Sequence, residues 1–294
     1  MDIFGISLQG LMGQLLIGLI NGSFYALLSL GLAIIFGLLN IINFTHGAQY
    51  MLGAFVAYIG LTRFGLSYWA SLVIAPLVVG CLGVVIEKLF LKKLYKIDHL
   101  YGLLLTFGMA LMLQSLLMNE YGSSGKPYRV PEALSGSLAV GGMFLPKYRI
   151  WVICASFVIC LLTWFVIERT KLGAYLRAAT ENPDLVQSFG INVPRMVTLT
   201  YGFGVGLAAL AGVMAAPLYQ VSPMMGADII IVVFAVVVIG GMGSILGAVL
   251  TGFGLGLVEG LTKVFYSEAS NTVIFVIMVL VLLVKPSGLF GEKK

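Results

Sequence analysis

The chain has 294 residues, of which 60% are hydrophobic and 10% charged, with a net charge of +5. Soluble domains carry about 25% charged residues, so this composition excludes a water-soluble surface and sets the apolar side chains against lipid or other membrane helices. It also excludes a disordered polar chain. The basic residues lie in short connections rather than on a face that could hold nucleic acid.

The start, Met1-Asp2-Ile3, lacks the basic stretch that opens a cleaved signal peptide, so the first apolar segment is expected to be retained. About 20 apolar residues cross a bilayer as a helix. On that measure the first span covers 11–39, interrupted by Asn21-Gly22-Ser23 and followed by a polar stretch, 40–46. Spans at 47–61 and 68–85 lead to a basic loop with Glu87, Lys88, Lys92, Lys93 and Lys96. A span at 100–118, a polar segment at 119–147 and a span at 150–167 come next. After a polar stretch, 168–195, spans are expected at 196–216 and 229–239. Gly240-Gly241-Met242-Gly243-Ser244 then breaks the pattern before spans at 245–261 and 272–284 and a basic tail, 285–294.

The expected fold is all-α: one transmembrane helical bundle over 1–294, with about 8–9 spans and broken or re-entrant helices near 40–46 and at Gly240, Gly241, Gly243 and Ser244. Placing the Lys88–Lys96 loop inside puts 168–195 and the tail inside too, with eleven of the 17 Lys and Arg. That agrees with the positive-inside rule and puts the N-terminus outside. Asn43-Phe44-Thr45-His46-Gly47-Ala48 is weakly echoed by the run from Gly241 to Ala248, and transporters are often built from repeats with broken helices beside the substrate path. Cys81, Cys154 and Cys160 lack metal-ligand spacing and read as small buried hydrophobes. No metal site is expected.

The stretch 168–195 reads as two short helices on the cytoplasmic face. Leu172–Ala179 is rich in helix formers, Asn182 is a good N-cap, Pro183 suits the first helical position, and Gly190 is a plausible stop. Leu185, Val186 and Phe189 give the second helix an apolar side that needs something to dock on. The plain alternative is a polar connection lying on the membrane. Asn21, Ser23, Asn43, Thr45, His46 and Gln49 cluster around the first two spans. They read either as a lining for a zwitterionic solute or as helix-to-helix hydrogen bonds and caps. Glu87 is expected at the interface beside Lys88. Glu259 falls deeper and needs a partner or a water-filled cavity.

Four blocks carry a resemblance: Asn43 to Ala54; Arg177-Ala178-Ala179-Thr180-Glu181-Asn182-Pro183 with Gly190-Ile191-Asn192-Val193; Gly240 to Ala248; and Lys285-Pro286-Ser287-Gly288-Leu289-Phe290-Gly291. In order and content they resemble the permease subunits of branched-chain amino acid ABC importers, most closely the LivH type, a family shared with LivM-type and ribose-type permeases. Some members carry an acidic residue just after His-Gly, where this chain has Ala48, so a role for that carboxylate does not transfer. Relatives that handle urea or short amides share much of the pattern.

The resemblance implies a bacterial inner-membrane subunit with a cytoplasmic C-terminus. It implies a second, LivM-like permease, two ATPase subunits that bind ATP and Mg²⁺, and an extracytoplasmic solute-binding protein. Arg177, Ala178, Glu181, Asn182, Pro183, Leu185, Phe189 and Gly190 are then the ATPase-coupling residues. The chain carries no Gly-x-x-x-x-Gly-Lys-Ser/Thr loop, and its Gly125-Lys126-Pro127 lacks both the earlier glycine and the hydroxyl. Catalytic residues are not expected: His46 and His99 sit in no nucleophile–base set. An ion-coupled transporter working alone through His46 or Glu259 is the rival, and the cytoplasmic helix pair argues against it.

Overall fold

The computed structural model describes residues 2–3, 6–39, 42–95, 98–140 and 143–291. Asn40 and Ile41 of the first polar break, Lys96 of the basic loop and the last three residues of the tail lie outside the described residues. A short hairpin, β1 (Asp2–Ile3) and β2 (Ile6–Ser7), precedes α1 (Leu8–Leu39), α2 (Thr45–Phe64), α3 (Tyr68–Leu89) and α4 (His99–Tyr121). The polar segment holds an antiparallel hairpin, β3 (Ser137–Val140) with β4 (Met143–Pro146), which the sequence reading did not foresee. Then follow α5 (Lys147–Arg169), the short α6 (Lys171–Glu181) and α7 (Pro183–Ser188), α8 (Val193–Tyr219), α9 (Met225–Gly240), α10 (Ile245–Phe265) and α11 (Val273–Val284).

Each of the nine apolar segments thus has its own helix among the described residues. Six of these helices are long and apolar enough to cross a membrane, and α9 and α11 are shorter apolar helices. Helix α2 is less hydropathic because Thr45, His46, Gln49 and Arg63 lie on it. It tolerates the first three because protein, not lipid, covers its first turns, where Thr45 to Met51 are all buried, while Arg63 is exposed in its last turn. The chain is an all-α, multi-pass membrane protein.

The packing divides the chain into two compact units. One comprises 1–29, 130–161 and 232–294; the other comprises 30–129 and 162–231. In the second unit α8 packs along α2 and α3. Gly53 and Gly212 set the α2–α8 distance. A Cβ on Gly53 would lie 2.2 Å from the Ala209 carbonyl oxygen, and one on Gly212 would lie 2.0 Å from that of Tyr50. Membrane helices gain little from apolar burial against each other, so backbone approach of this kind supplies the contact. In the first unit α1 and α10 approach in the same way, through Gly18 and Gly256. Ala235, Val236, Ile239, Leu255 and Ile274 form that unit's buried apolar cluster.

The two stretches of the weak echo, 43–48 and 241–248, each lead into a helix, α2 from Thr45 and α10 from Ile245. A glycine in each, Gly47 or Gly247, lies against a backbone carbonyl, that of Gly226 or Gly240 respectively. The cysteines depart from expectation. Cys160 is buried, but Cys81 and Cys154 are exposed, because they lie on outward faces of α3 and α5 that lipid can cover.

Gly53→Val is expected to force α2 from α8 at a cost of about 1–3 kcal/mol or more. The check is thermal unfolding in detergent, with Gly108→Val, where a Cβ meets nothing within 4 Å, as a control that should unfold like the parent.

Candidate translocation and coupling sites

The six polar residues expected near the first two spans fall into two groups. In the first unit, Asn21 Nδ2 donates to Glu259 Oε1 at 3.0 Å and Tyr25 Oη donates to Oε2 at 2.8 Å. Lys263 Nζ completes the set, 2.7 Å from Oε1. Glu259 is therefore buried, at 4% exposed, and has partners for both of its oxygens. Ser23 donates within its own helix to the Leu19 carbonyl at 2.8 Å. Lys263 was legible as the residue four after Glu259, and Tyr25 as the residue four after Asn21. That the two pairs meet, across 238 residues of sequence, was not legible.

In the second unit, Asn43, Thr45, His46 and Gln49 gather where α2 begins, all 1% exposed or less. Asn43 Nδ2 and Gln49 Nε2 donate to the Tyr201 hydroxyl of α8, at 3.1 and 3.4 Å. Thr45 donates to the Thr106 carbonyl of α4 at 2.9 Å, and Thr106 in turn donates to the Ile42 carbonyl. The His46 ring lies against α1 at Gly31, where a Cβ would come within 3.1 Å of it. Among the described residues Asn43 Oδ1 and Gln49 Oε1 have no hydrogen-bond partner. The Tyr201 proton can satisfy one of them once that amide turns over, which leaves polar capacity unspent in a buried place. Tyr201 and Thr106 were missed because no local pattern ties a residue to partners 60 to 160 positions away.

Glu87 is 1% exposed, because it is covered by α8 and by the loop that follows α3. Its carboxylate accepts from Tyr95 Oη at 2.5 Å and from Thr198 Oγ1 at 2.7 Å. Burial, and then the bond to Glu87, push the Tyr95 hydroxyl far above the usual tyrosine range. The pair ties the end of α3 and its following loop to the second turn of α8.

The segment 168–195 forms the two helices its composition suggests. Asn182 Oδ1 accepts from the Leu185 amide at 3.0 Å, Pro183 opens α7, and Gly190 ends the segment at φ +82°. Arg177 pairs with Glu168 at 3.3 Å in an exposed contact that adds little stability. Ala178 and Glu181 are exposed on α6. The apolar side of α7 divides. Val186 turns inward to pack with Ala179 and Val193, while Leu185 and Phe189 are 54% and 77% exposed. The short helices are thus pinned to the start of α8 and present two large apolar side chains outward.

The break after α9 is real: Gly241 and Gly243 take φ values of +101° and +87°, and Ser244 caps α10 through the Gly247 amide at 3.1 Å. The tail hooks onto it. The Leu289 and Phe290 amides donate to the carbonyls of Ile239 and Gly240, the latter the last residue of α9. Two separate sequence blocks therefore make one structural feature. No group of His, Cys, Asp and Glu that could hold a metal occurs among the described residues.

A multi-pass helical chain with glycine-packed helices, buried polar groups in each unit and a short helix pair pinned to the start of α8 is consistent with a membrane permease. Residues 14–282 match the family described as the permease component of branched-chain amino acid transport systems, and the chain belongs to that family. It is 32% identical to the high-affinity branched-chain amino acid permease protein BraD of Pseudomonas aeruginosa, over 95% of each chain. It is 30% identical to the LivH permease protein of Escherichia coli K12, again over 95% of each. The LivM permease protein of that strain is 28% identical, over 90% of this chain and 67% of its own. No solved structure matches.

Glu259→Ala is expected to leave Lys263 without its partner and to destabilise the protein towards the lower end of the about 3–5 kcal/mol that breaking a buried pair costs, since Lys263 is partly exposed. Thermal unfolding of the purified protein checks this. The double variant Glu259→Ala/Lys263→Ala should recover part of the loss, and a single variant as stable as the parent would contradict the assignment.

Proposed function

We propose that the chain is one of two membrane-spanning subunits of an ABC importer that carries branched-chain amino acids into a bacterial cell. The observation that carries this is the α6–α7 pair, anchored by Val186 and turned outward at Leu185 and Phe189. Family membership and the names of the relatives supply the substrate class. The similarity to both LivH and LivM proteins supports a homologous second permease as partner. Two ATPase subunits hold ATP and Mg²⁺ on the cytoplasmic side, and a soluble binding protein delivers solute outside. The N-terminus then lies outside and the C-terminal tail inside, with the basic loop.

Mechanically, ATP closes the partner ATPases, and Leu185 and Phe189 follow the surface they are seated on. Val186 passes the movement to Val193 at the start of α8. Within about 12 Å along that helix, Thr198 holds α3 through Glu87, and Tyr201 holds α2 through Asn43 and Gln49. Movement of one short helix is in this way shared by three membrane helices. Such coupling shifts the inward–outward balance only if the partner contacts the two states differently.

Replacing Glu181, Asn182 and Pro183 together by alanine removes the α7 cap and its opening proline. The assembled complex is expected to survive and to hydrolyse ATP, while uptake falls at least tenfold. Radiolabelled leucine uptake and ATP hydrolysis, measured on the same proteoliposomes, check this; unchanged uptake would contradict the coupling role.

A further inference from the structure

An apolar groove in two parts, which share Leu199, follows α8 out of the coupling segment. Its first part, about 410 Å³, lies between α6 and α8 and is lined by Leu172, Tyr175, Arg195, Met196 and Leu199. Its second part, about 530 Å³, lies between α3 and α8 and is lined by Leu77, Gly80, Val84, Leu199 and Gly206. Leu199 forms a wall of both. From Arg195 to Leu210 the groove follows α8 for about 22 Å at 1.5 Å per residue, enough to cross one leaflet of a hydrocarbon core about 30 Å thick.

One end of this groove is charged. Arg195 stands in its lining. On α3, Lys88 continues the row Leu77, Cys81 and Val84 by one further turn, so it faces the same way. Helices α3 and α8 run antiparallel, with Gly80 against Gly202 and Glu87 against Thr198, which brings Lys88 level with the first turns of α8. Both cations are exposed, and neither makes an ion pair among the described residues. The carboxylate nearest in sequence, Glu87, spends its oxygens on Tyr95 and Thr198.

We infer that this groove binds a phospholipid with an anionic headgroup, its phosphate held between Lys88 and Arg195 and an acyl chain laid along α8 past Leu199 to Gly206. A cation in the lining of an apolar groove, with a second on the neighbouring helix near the same level, matches an amphiphile with a negative head. A second membrane helix would cover the apolar part and leave the cations unanswered. The inference rests on the proposed importer reading only in placing the charged end of the groove on the cytoplasmic side.

The test is native mass spectrometry of the whole complex, purified from membranes holding phosphatidylglycerol and phosphatidylethanolamine. Retained phosphatidylglycerol should exceed phosphatidylethanolamine on the order of tenfold. Lys88→Gln/Arg195→Gln should abolish that preference, and Gly206→Leu, which fills the groove, should lower total bound lipid. Lys92→Gln/Lys93→Gln, in the same basic loop, should leave both unchanged. Equal retention of the two lipids by the parent, or an unchanged preference in the Lys88/Arg195 variant, would overturn the site. A complex that lacks ATPase subunits would instead overturn the importer reading and leave the lipid measurement readable.

Discussion

Helices in a bilayer have no aqueous alternative to escape from, so apolar burial gives them little reason to associate; what remains is close backbone approach and the pairing of polar groups that lipid cannot satisfy. Both act on α8. Gly53 and Gly212 bring α2 and α8 together at carbonyl distance, and Tyr201 and Thr198 accept or give the hydrogen bonds of α2 and α3. The same two devices recur in the other unit, where Gly18 and Gly256 bring α1 and α10 together and Asn21, Tyr25 and Lys263 close around Glu259.

The two devices differ in kind. Glycine contacts fix the spacing of helices by backbone approach rather than by interlocking large side chains. The polar links, by contrast, are few and specific. They sit at the end of α8 that the short helices grip through Val186. A force applied at α7 therefore meets hydrogen-bonded links within its first turns, before reaching the glycine-packed length of the helix.

Much of this was legible in the sequence, for a definite reason. Apolar length is set by bilayer thickness, so the nine segments could be read off directly, and the punctuation Asn182-Pro183 and Gly240 to Ser244 acts locally through caps and positive φ. Glu259 was recognised as needing a partner or a water-filled cavity, because a carboxylate within an apolar run must have one or the other. What could not be read were pairings set by tertiary packing. Glu87 was placed only by its neighbour Lys88, and its partners Tyr95 and Thr198 were not foreseen, since helical rotation turns it inward while Lys88 is exposed. Phe189 and Val186 looked like one apolar side, and the short helix separates them. Asn21 and Asn43 looked like one cluster and belong to different units.

The most direct measurement is purification of the chain from its native membrane in mild detergent, with identification of what remains bound. The account predicts a homologous permease and a P-loop ATPase in stoichiometric amounts, with the ATPase crosslinking to a cysteine placed at Phe189. A chain that purifies alone, with no ATPase captured at that position, would contradict it.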